Sequence, residues 1–236
     1  MRSSTNVSSK PVSRLRSAPV LLAATLGLSA ALAACDNPTA GKPTATVASA
    51  VPMPSTAPAG EVKPAAATED VLYTFTQASS KVGFVGAKVT GKHDGSFGTF
   101  NGTVRLVDNN VEKSSVTVEI DTASLDSDNA KLTGHLKSAD FFDVEKFPKA
   151  KFVSTSIKAG GAAGATHTVT GNLELHGVTK SITFPATIKV GDVVEVTTEF
   201  GINRKDFNIV YPGKPDDLIK DEVLIKLSIK AQKSPA

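Results

Sequence analysis

Few residues in this chain have the types and spacing that chemistry requires. There are four histidines, His93, His135, His167 and His176. No two stand at metal-ligand spacing, and there is no His-Glu-x-x-His helix. A Gly-x-Ser-x-Gly elbow, a phosphate-binding loop and a Gly-x-Gly-x-x-Gly turn are all missing. Asp126 and Asp128 begin like a calcium loop. Ala130 then stands where an oxygen ligand is needed, and the loop glycine is absent. The simpler expectation is that Asp126, Ser127 and Asp128 accept hydrogen bonds at the start of a short helix. His176, directly before Gly177, reads as a turn residue. The chemistry left is binding rather than catalysis, with no metal and no cofactor expected.

The single cysteine, Cys35, has a different prospect. Arg2, Lys10, Arg14 and Arg16 form a basic region without acidic residues, and an apolar run from Ala18 to Ala34 follows. Such a run is the core of a signal peptide. Leu32-Ala33-Ala34-Cys35 resembles a bacterial lipobox, in which the cysteine is acylated and the signal is cut before it. More than one acyl chain gives stable membrane anchoring. A lipidated Cys35 also leaves no thiol for a disulfide or for nucleophilic chemistry. Removing residues 1–34 takes four basic residues from the formal charge of +3, leaving 22 basic against 23 acidic, a net −1. That balance gives no support for nucleic-acid binding.

Residues 35–69 are expected to be a disordered Ala/Pro/Thr-rich tether, with prolines at 38, 43, 52, 54, 58 and 64. A flexible chain of about 34 residues spans roughly 30–35 Å, which would hold the following domain off the membrane.

The globular part is read as residues 70–236. All eleven phenylalanines lie between Phe75 and Phe207. Apolar residues alternate with polar ones at Val116, Val118 and Ile120, at Ile182 and Phe184, and from Val223 to Ala231. This pattern predicts antiparallel strands with one apolar face. Strands are expected near 72–77, 81–90, 97–107, 114–121, 150–158, 166–175, 180–190, 193–203 and 222–232. Asp108-Asn109-Asn110, His176-Gly177 and Gly191-Asp192 mark the clearest turns. Sequential strands with tight connections fit an up-and-down barrel, which removes sheet edges by closing on itself. A β-sandwich fits the alternation almost as well.

One segment, Ser124 to Phe152, breaks the run of strands. Leu132 and Leu136 share one face of a short helix, and Gly134 weakens that helix by roughly 1 kcal/mol relative to Ala. Phe141-Phe142 follow, then Phe147-Pro148, where proline favours extended geometry and restarts a strand. The Leu-Thr-Gly-His-Leu-Lys-Ser run, the Asp-Phe-Phe-Asp cluster and the Phe-Pro pair together resemble the YceI-like family. Gly201-Ile202-Asn203-Arg204-Lys205-Asp206-Phe207 resembles its C-terminal stretch, and Gly171 to Lys180 its strand–turn–strand hairpin. Phe97 to Gly102 resembles an early strand, whose glycines would allow coiling or close approach of a ligand. Leu132-Thr133-Gly134 departs from the family, many members of which carry an arginine-aspartate pair there.

The resemblance implies an all-β, lipocalin-like antiparallel barrel of about eight strands with a short helical insertion. It also implies non-enzymatic binding, and possible transport or storage, of a polyisoprenoid such as a polyprenyl phosphate or an isoprenoid quinone. Inward parity and the family's tunnel point to Phe84, Phe100, Val118, Phe142, Phe184 and Phe200 as lining. Arg204 offers a planar fork of donors to a phosphate or quinone oxygen, or else pairs with Asp206 or a neighbouring carboxylate. His135 lines the tunnel mouth or bonds a loop carbonyl. A homodimer is possible by the same resemblance. Anchored through Cys35, the domain would face the periplasm or cell exterior. Asp36 resembles an inner-membrane retention signal, and the choice of membrane stays open. The alternative is a ligand-free envelope lipoprotein whose barrel is filled by its own side chains and whose outer surface binds a protein.

Overall fold

A computed structural model describes Met1 and residues 37–52 and 70–235. The signal peptide, Cys35 and residues 53–69 lie outside the described residues. The strands are β1 (Thr46–Ser49), β2 (Asp70–Thr76), β3 (Lys81–Lys88), β4 (Gly91–Phe97), β5 (Phe100–Val107), β6 (Asn110–Asp121) and β7 (Leu125–Ser127). After helix α1 (Ala130–Lys137) come β8 (Lys149–Ala159), β9 (His167–Leu175), β10 (Val178–Lys189) and β11 (Val193–Asn203). A two-residue hairpin, β12 (Gly213–Lys214) and β13 (Asp217–Leu218), precedes β14 (Glu222–Lys233).

Eight of these strands close into an antiparallel barrel in the order β10-β9-β8-β6-β5-β2-β14-β11, with β11 returning to β10. The alternation therefore belongs to a barrel and not a sandwich. Ile182, Phe184 and Ala186 on β10 and Phe200 and Ile202 on β11 join Val169 and Ile157 in one half of the interior. Tyr73, Phe75, Phe100, Val104, Leu106 and Ile229 fill the other half. Period-two side chains with one face buried fix the register, because a slip of one residue would turn every apolar side chain outward.

Three features depart from the expected strands. The stretch expected at 97–107 is two strands, with β4 ending at Phe97 and β5 starting at Phe100. β4 carries no apolar alternation; it pairs with β3, and the end of the Phe84 ring lies against Gly95, where a Cβ would sit 2.3 Å from Cζ. Gly102 is covered in the same way by Phe75 of β2. The close approach these glycines permit is therefore that of a cross-strand ring. β2 and β3 lie end to end along one edge of β14, so β3, β4 and β7 form a flap beside the barrel.

The third departure corrects the expected tether. β10 and β11 pair only at 187–189 with 195–197 and then diverge. The segment before residue 50 fills the opening. Thr46–Ser49 pairs with Lys180–Thr183 of β10, and Thr44 bridges Gly201 of β11. The Ala45 N–H donates to the Gly201 carbonyl at 2.8 Å, and the Gly201 N–H to that of Pro43 at 2.8 Å. Ala45 is part of the core, Val47 packs against it, and Asn172 clasps the Val51 backbone through both its amide atoms. Composition hid this strand, because a segment with so little apolar surface of its own is ordered only by unpaired edges supplied elsewhere. Deleting residues 37–52 is expected to lower stability by on the order of 3 kcal/mol, from lost burial and ladder hydrogen bonds. It should also promote aggregation through the exposed edges. Urea unfolding and light scattering measure both.

Helix α1 lies where Leu132 and Leu136 predicted it, but its cap is Asn129, whose side chain accepts from the Leu132 N–H at 3.1 Å. Asp126 instead accepts from the Thr133 hydroxyl, and Asp128 pairs with His93 at 2.8 Å. The His93 hydrogen bond holds the Asp128 carboxyl below the ordinary carboxylate range. Phe147 packs on His176 with centroids 4.6 Å apart, and its carbonyl accepts from the Thr122 hydroxyl at 2.6 Å. The helical crossing is thus pinned to the β9–β10 turn.

Candidate ligand-binding cavity

The barrel interior holds a partly open cavity of about 330 Å³ with an almost wholly apolar surface. Strands supply most of the wall, including Val118, Phe152, Phe184, Phe200 and Leu227. Near Arg204 the wall changes character. There it is made by Leu132 and Leu136 of α1, by Phe141 and Phe142 after it, and by Ile209 and Ile219 from the loops between β11 and β14. Of these pieces only Ile219 bridges a strand, at Lys88 of β3, so this end is held by fewer ladder hydrogen bonds than the staves and can move at lower cost.

Phe84, Val118, Phe142, Phe184 and Phe200 all border the cavity. Phe184 and Phe200 stack with centroids 4.4 Å apart and planes 13° from parallel, across the seam where β10 and β11 diverge. Phe142 meets Phe97 edge-on at 5.8 Å and lies 6.3 Å from Phe84. Both adjacent phenylalanines, Phe141 and Phe142, therefore reach the interior, because residues 138–147 are turns rather than an extended strand.

Phe100 points inward but packs among Tyr73, Phe75 and Val104 instead of bordering the cavity. Parity gives direction, and side chains already fill the barrel at that level. His135 also stands off the cavity wall. Its Nε2 lies 2.8 Å from Asp140, and its ring meets Phe141 and Tyr211 edge-on, so it backs the Phe141 wall.

Arg204 borders the cavity but is committed to the protein. It is 6% exposed. Its guanidinium donates to the carbonyls of Ile209 at 2.6 Å, Lys220 at 3.1 Å and Ile219 at 3.5 Å, and meets Asp221 at 3.4 Å. The carboxylate partner is Asp221 rather than Asp206. Burial pushes the guanidinium's pKa down and Asp221 pushes it up. Other polar side chains at the wall are engaged as well: Lys88 with Asp217, His93 with Asp128, and Asp94 with Lys226. The interior is thus suited to hydrocarbon and offers little to a charged group.

Asp217 ties the short hairpin to the β3–β4 turn. It receives the Lys88 ammonium, the Thr90 N–H at 3.1 Å and the Thr90 hydroxyl at 3.0 Å. The Lys88 hydrogen bond, foremost among these, holds its carboxyl below the ordinary range. A folded-state value below the unfolded one gives stability that is fully present above the unfolded value and lost as pH falls through the folded one. Asp217→Asn is therefore expected to destabilise the protein near neutral pH. The difference should shrink once pH falls below the unfolded value of about 4, and vanish only below the lower folded-state value. Urea curves at the two pH values check this.

Residues 73–231 match the YceI-like domain. The chain belongs to the YceI-like family. A UPF0312 protein of Pseudomonas putida strain W619 is 37% identical over 139 residues, covering 56% of this chain and 71% of that protein. Among solved structures, BcnA of Burkholderia cenocepacia is 29% identical with a TM-score of 0.59, covering 66% of this chain and 97% of that one. A polyisoprenoid-binding domain from Saccharophagus degradans, implicated in plant cell wall breakdown, is 15% identical with a TM-score of 0.55. It covers 70% of this chain and 99% of its own, and shows the shared fold. The strand β1 lies ahead of the residues that match the YceI-like domain, so this YceI-like chain closes its barrel with a piece from outside that match.

Proposed function

We propose that this YceI-like protein binds the apolar chain of a polyisoprenoid lipid in its barrel, without catalysis, while anchored to the cell envelope through acylated Cys35. The observation that carries the reading is the cavity of about 330 Å³ inside the barrel, lined almost entirely by apolar side chains. Each enclosed CH₂ contributes about 0.8 kcal/mol, so roughly ten of them reach micromolar affinity before any polar contact. A cavity of about 150 Å³ takes one benzene, so this one holds a stretch of chain rather than a whole long prenyl tail. The remainder requires Phe97 and Phe142 to swing aside or the tail to emerge. Arg204 spends its donors on loop carbonyls, which leaves the lipid's polar head outside the cavity. The likeness to the polyisoprenoid-binding domain of Saccharophagus degradans supports the same ligand class here.

Native mass spectrometry of the purified protein tests the reading. A co-purifying long-chain lipid is expected, and its mass identifies it. Lipid-free protein that also fails to take up added polyprenyl phosphate or quinone would favour the alternative, a packed barrel acting through its outer surface.

A further inference from the structure

We infer that the barrel end closed by the loops around Arg204 is the face that rests on the lipid bilayer. This depends on the proposed acylation of Cys35 and adds which surface of the domain the anchor holds down. The chain that follows Cys35 is docked almost at once. Thr39 is 5% exposed, and its hydroxyl donates to the Glu222 carboxylate at 2.7 Å, with Asn37 Oδ1 3.0 Å away. Glu222 begins β14 directly after Asp221, the carboxylate beside Arg204 and Lys205. Only Asp36 separates Cys35 from Asn37. Two peptide units reach about 7 Å at most, so an acylated Cys35 stays close to this end of the barrel.

The same end carries exposed aliphatic side chains. Val89 is 69% exposed, Val210 59% and Leu218 49%. They sit on neighbouring segments: the Val89 N–H donates to the Leu218 carbonyl at 3.1 Å, and Arg204 draws together the carbonyls of Ile209 and Ile219. Single exposed aliphatics are ordinary on a protein surface, but three gathered on adjoining loops suit partial insertion among lipid headgroups. Lys88, Lys205, Lys214 and Lys220 stand among Asp206, Asp216, Asp217 and Asp221. That balance favours shallow apolar insertion over a clamp on lipid phosphates. Ile209 and Ile219, on the inner side of the same loops, border the cavity. A hydrocarbon chain passing between bilayer and barrel would meet loops here, tied at the Lys88–Ile219 bridge and by Arg204, and not a continuous strand ladder.

The chain contains no tryptophan, so single-tryptophan variants report position without background. Full-length acylated protein carrying V210W, L218W or V193W would be placed in phosphatidylcholine vesicles with brominated acyl chains. Val193 opens β11 at the opposite end of the barrel from Arg204. V210W and L218W are expected to lose most of their emission to the brominated lipid, while V193W keeps its own. Equal quenching at all three sites, quenching at V193W alone, or no quenching overturns the orientation. Emission from the loop variants that shifts to the blue with protein concentration, yet ignores bromine, overturns it in favour of contact between two copies. The mass of the mature chain separates the two levels. Unmodified Cys35 sinks the anchoring and this orientation with it, whereas acylated Cys35 with unquenched loops sinks the orientation alone.

Discussion

Phe184→Asp is expected to yield protein that carries no lipid. Phe184 is 6% exposed, stacked on Phe200 and packed against Phe152 with centroids 5.8 Å apart. Truncating a buried phenylalanine costs about 3–5 kcal/mol. An unpaired carboxylate in that position adds a desolvation penalty, or takes up a proton to avoid it. The stack also bridges the seam between β10 and β11, so its loss loosens the wall where ladder pairing is already sparse. Unfolding alone could empty the barrel, and Phe142→Ala provides the control. Phe142 lies in the turns after α1 and outside the ladders, so its truncation should lower the lipid-bound fraction while leaving the barrel folded. Native mass spectrometry reads the bound fraction and urea unfolding reads the stability. A folded Phe184→Asp barrel that still carried lipid would show that the ligand binds somewhere other than this cavity.

Arg204→Met is expected to cost about 3–5 kcal/mol, the range for breaking a buried, hydrogen-bonded charged group. The guanidinium gathers carbonyls from residues 209, 219 and 220 and the carboxylate of Asp221, so one side chain organises the loops between β11 and β14. Methionine fills comparable volume but leaves those carbonyls without donors. Arg204→Lys is expected to recover little, because an ammonium is a point charge and cannot replace the planar fork. Loosening these loops also moves Ile209 and Ile219, so the variant should exchange lipid faster as well as unfold at lower urea. Were Arg204 a headgroup ligand instead, Arg204→Met would lower affinity and leave stability near that of the parent.

Period-two alternation needs only neighbouring residues, and for that reason it was legible. Val116 to Ile120, Ile182 to Ile188 and Val223 to Ala231 are strands where their pattern places them. The turns at Asp108-Asn109 and His176-Gly177 fall where positive φ is required, at φ 51° and 53° for the first pair and 51° and 73° for the second. The Leu132–Leu136 stripe and the Phe-Pro restart of β8 were equally local. Parity also directed Phe84, Val118, Phe184 and Phe200 to the cavity they border, and the family was readable in the 124–152 segment.

Local pattern was thus enough for the inward side of the regular strands, the place of the helix between them, and the YceI-like family. Only the tertiary structure decided how the wall closes and what the charged groups do. β1 has too little apolar surface to announce itself and exists because β10 and β11 diverge around it. β4 depends on Phe84 covering Gly95, a contact set by register with another strand. Arg204 found Asp221, 17 residues away, rather than Asp206 beside it, because the loop carbonyls that surround it converge only in the folded chain. In each case the deciding partner is distant in sequence, and no local pattern encodes it.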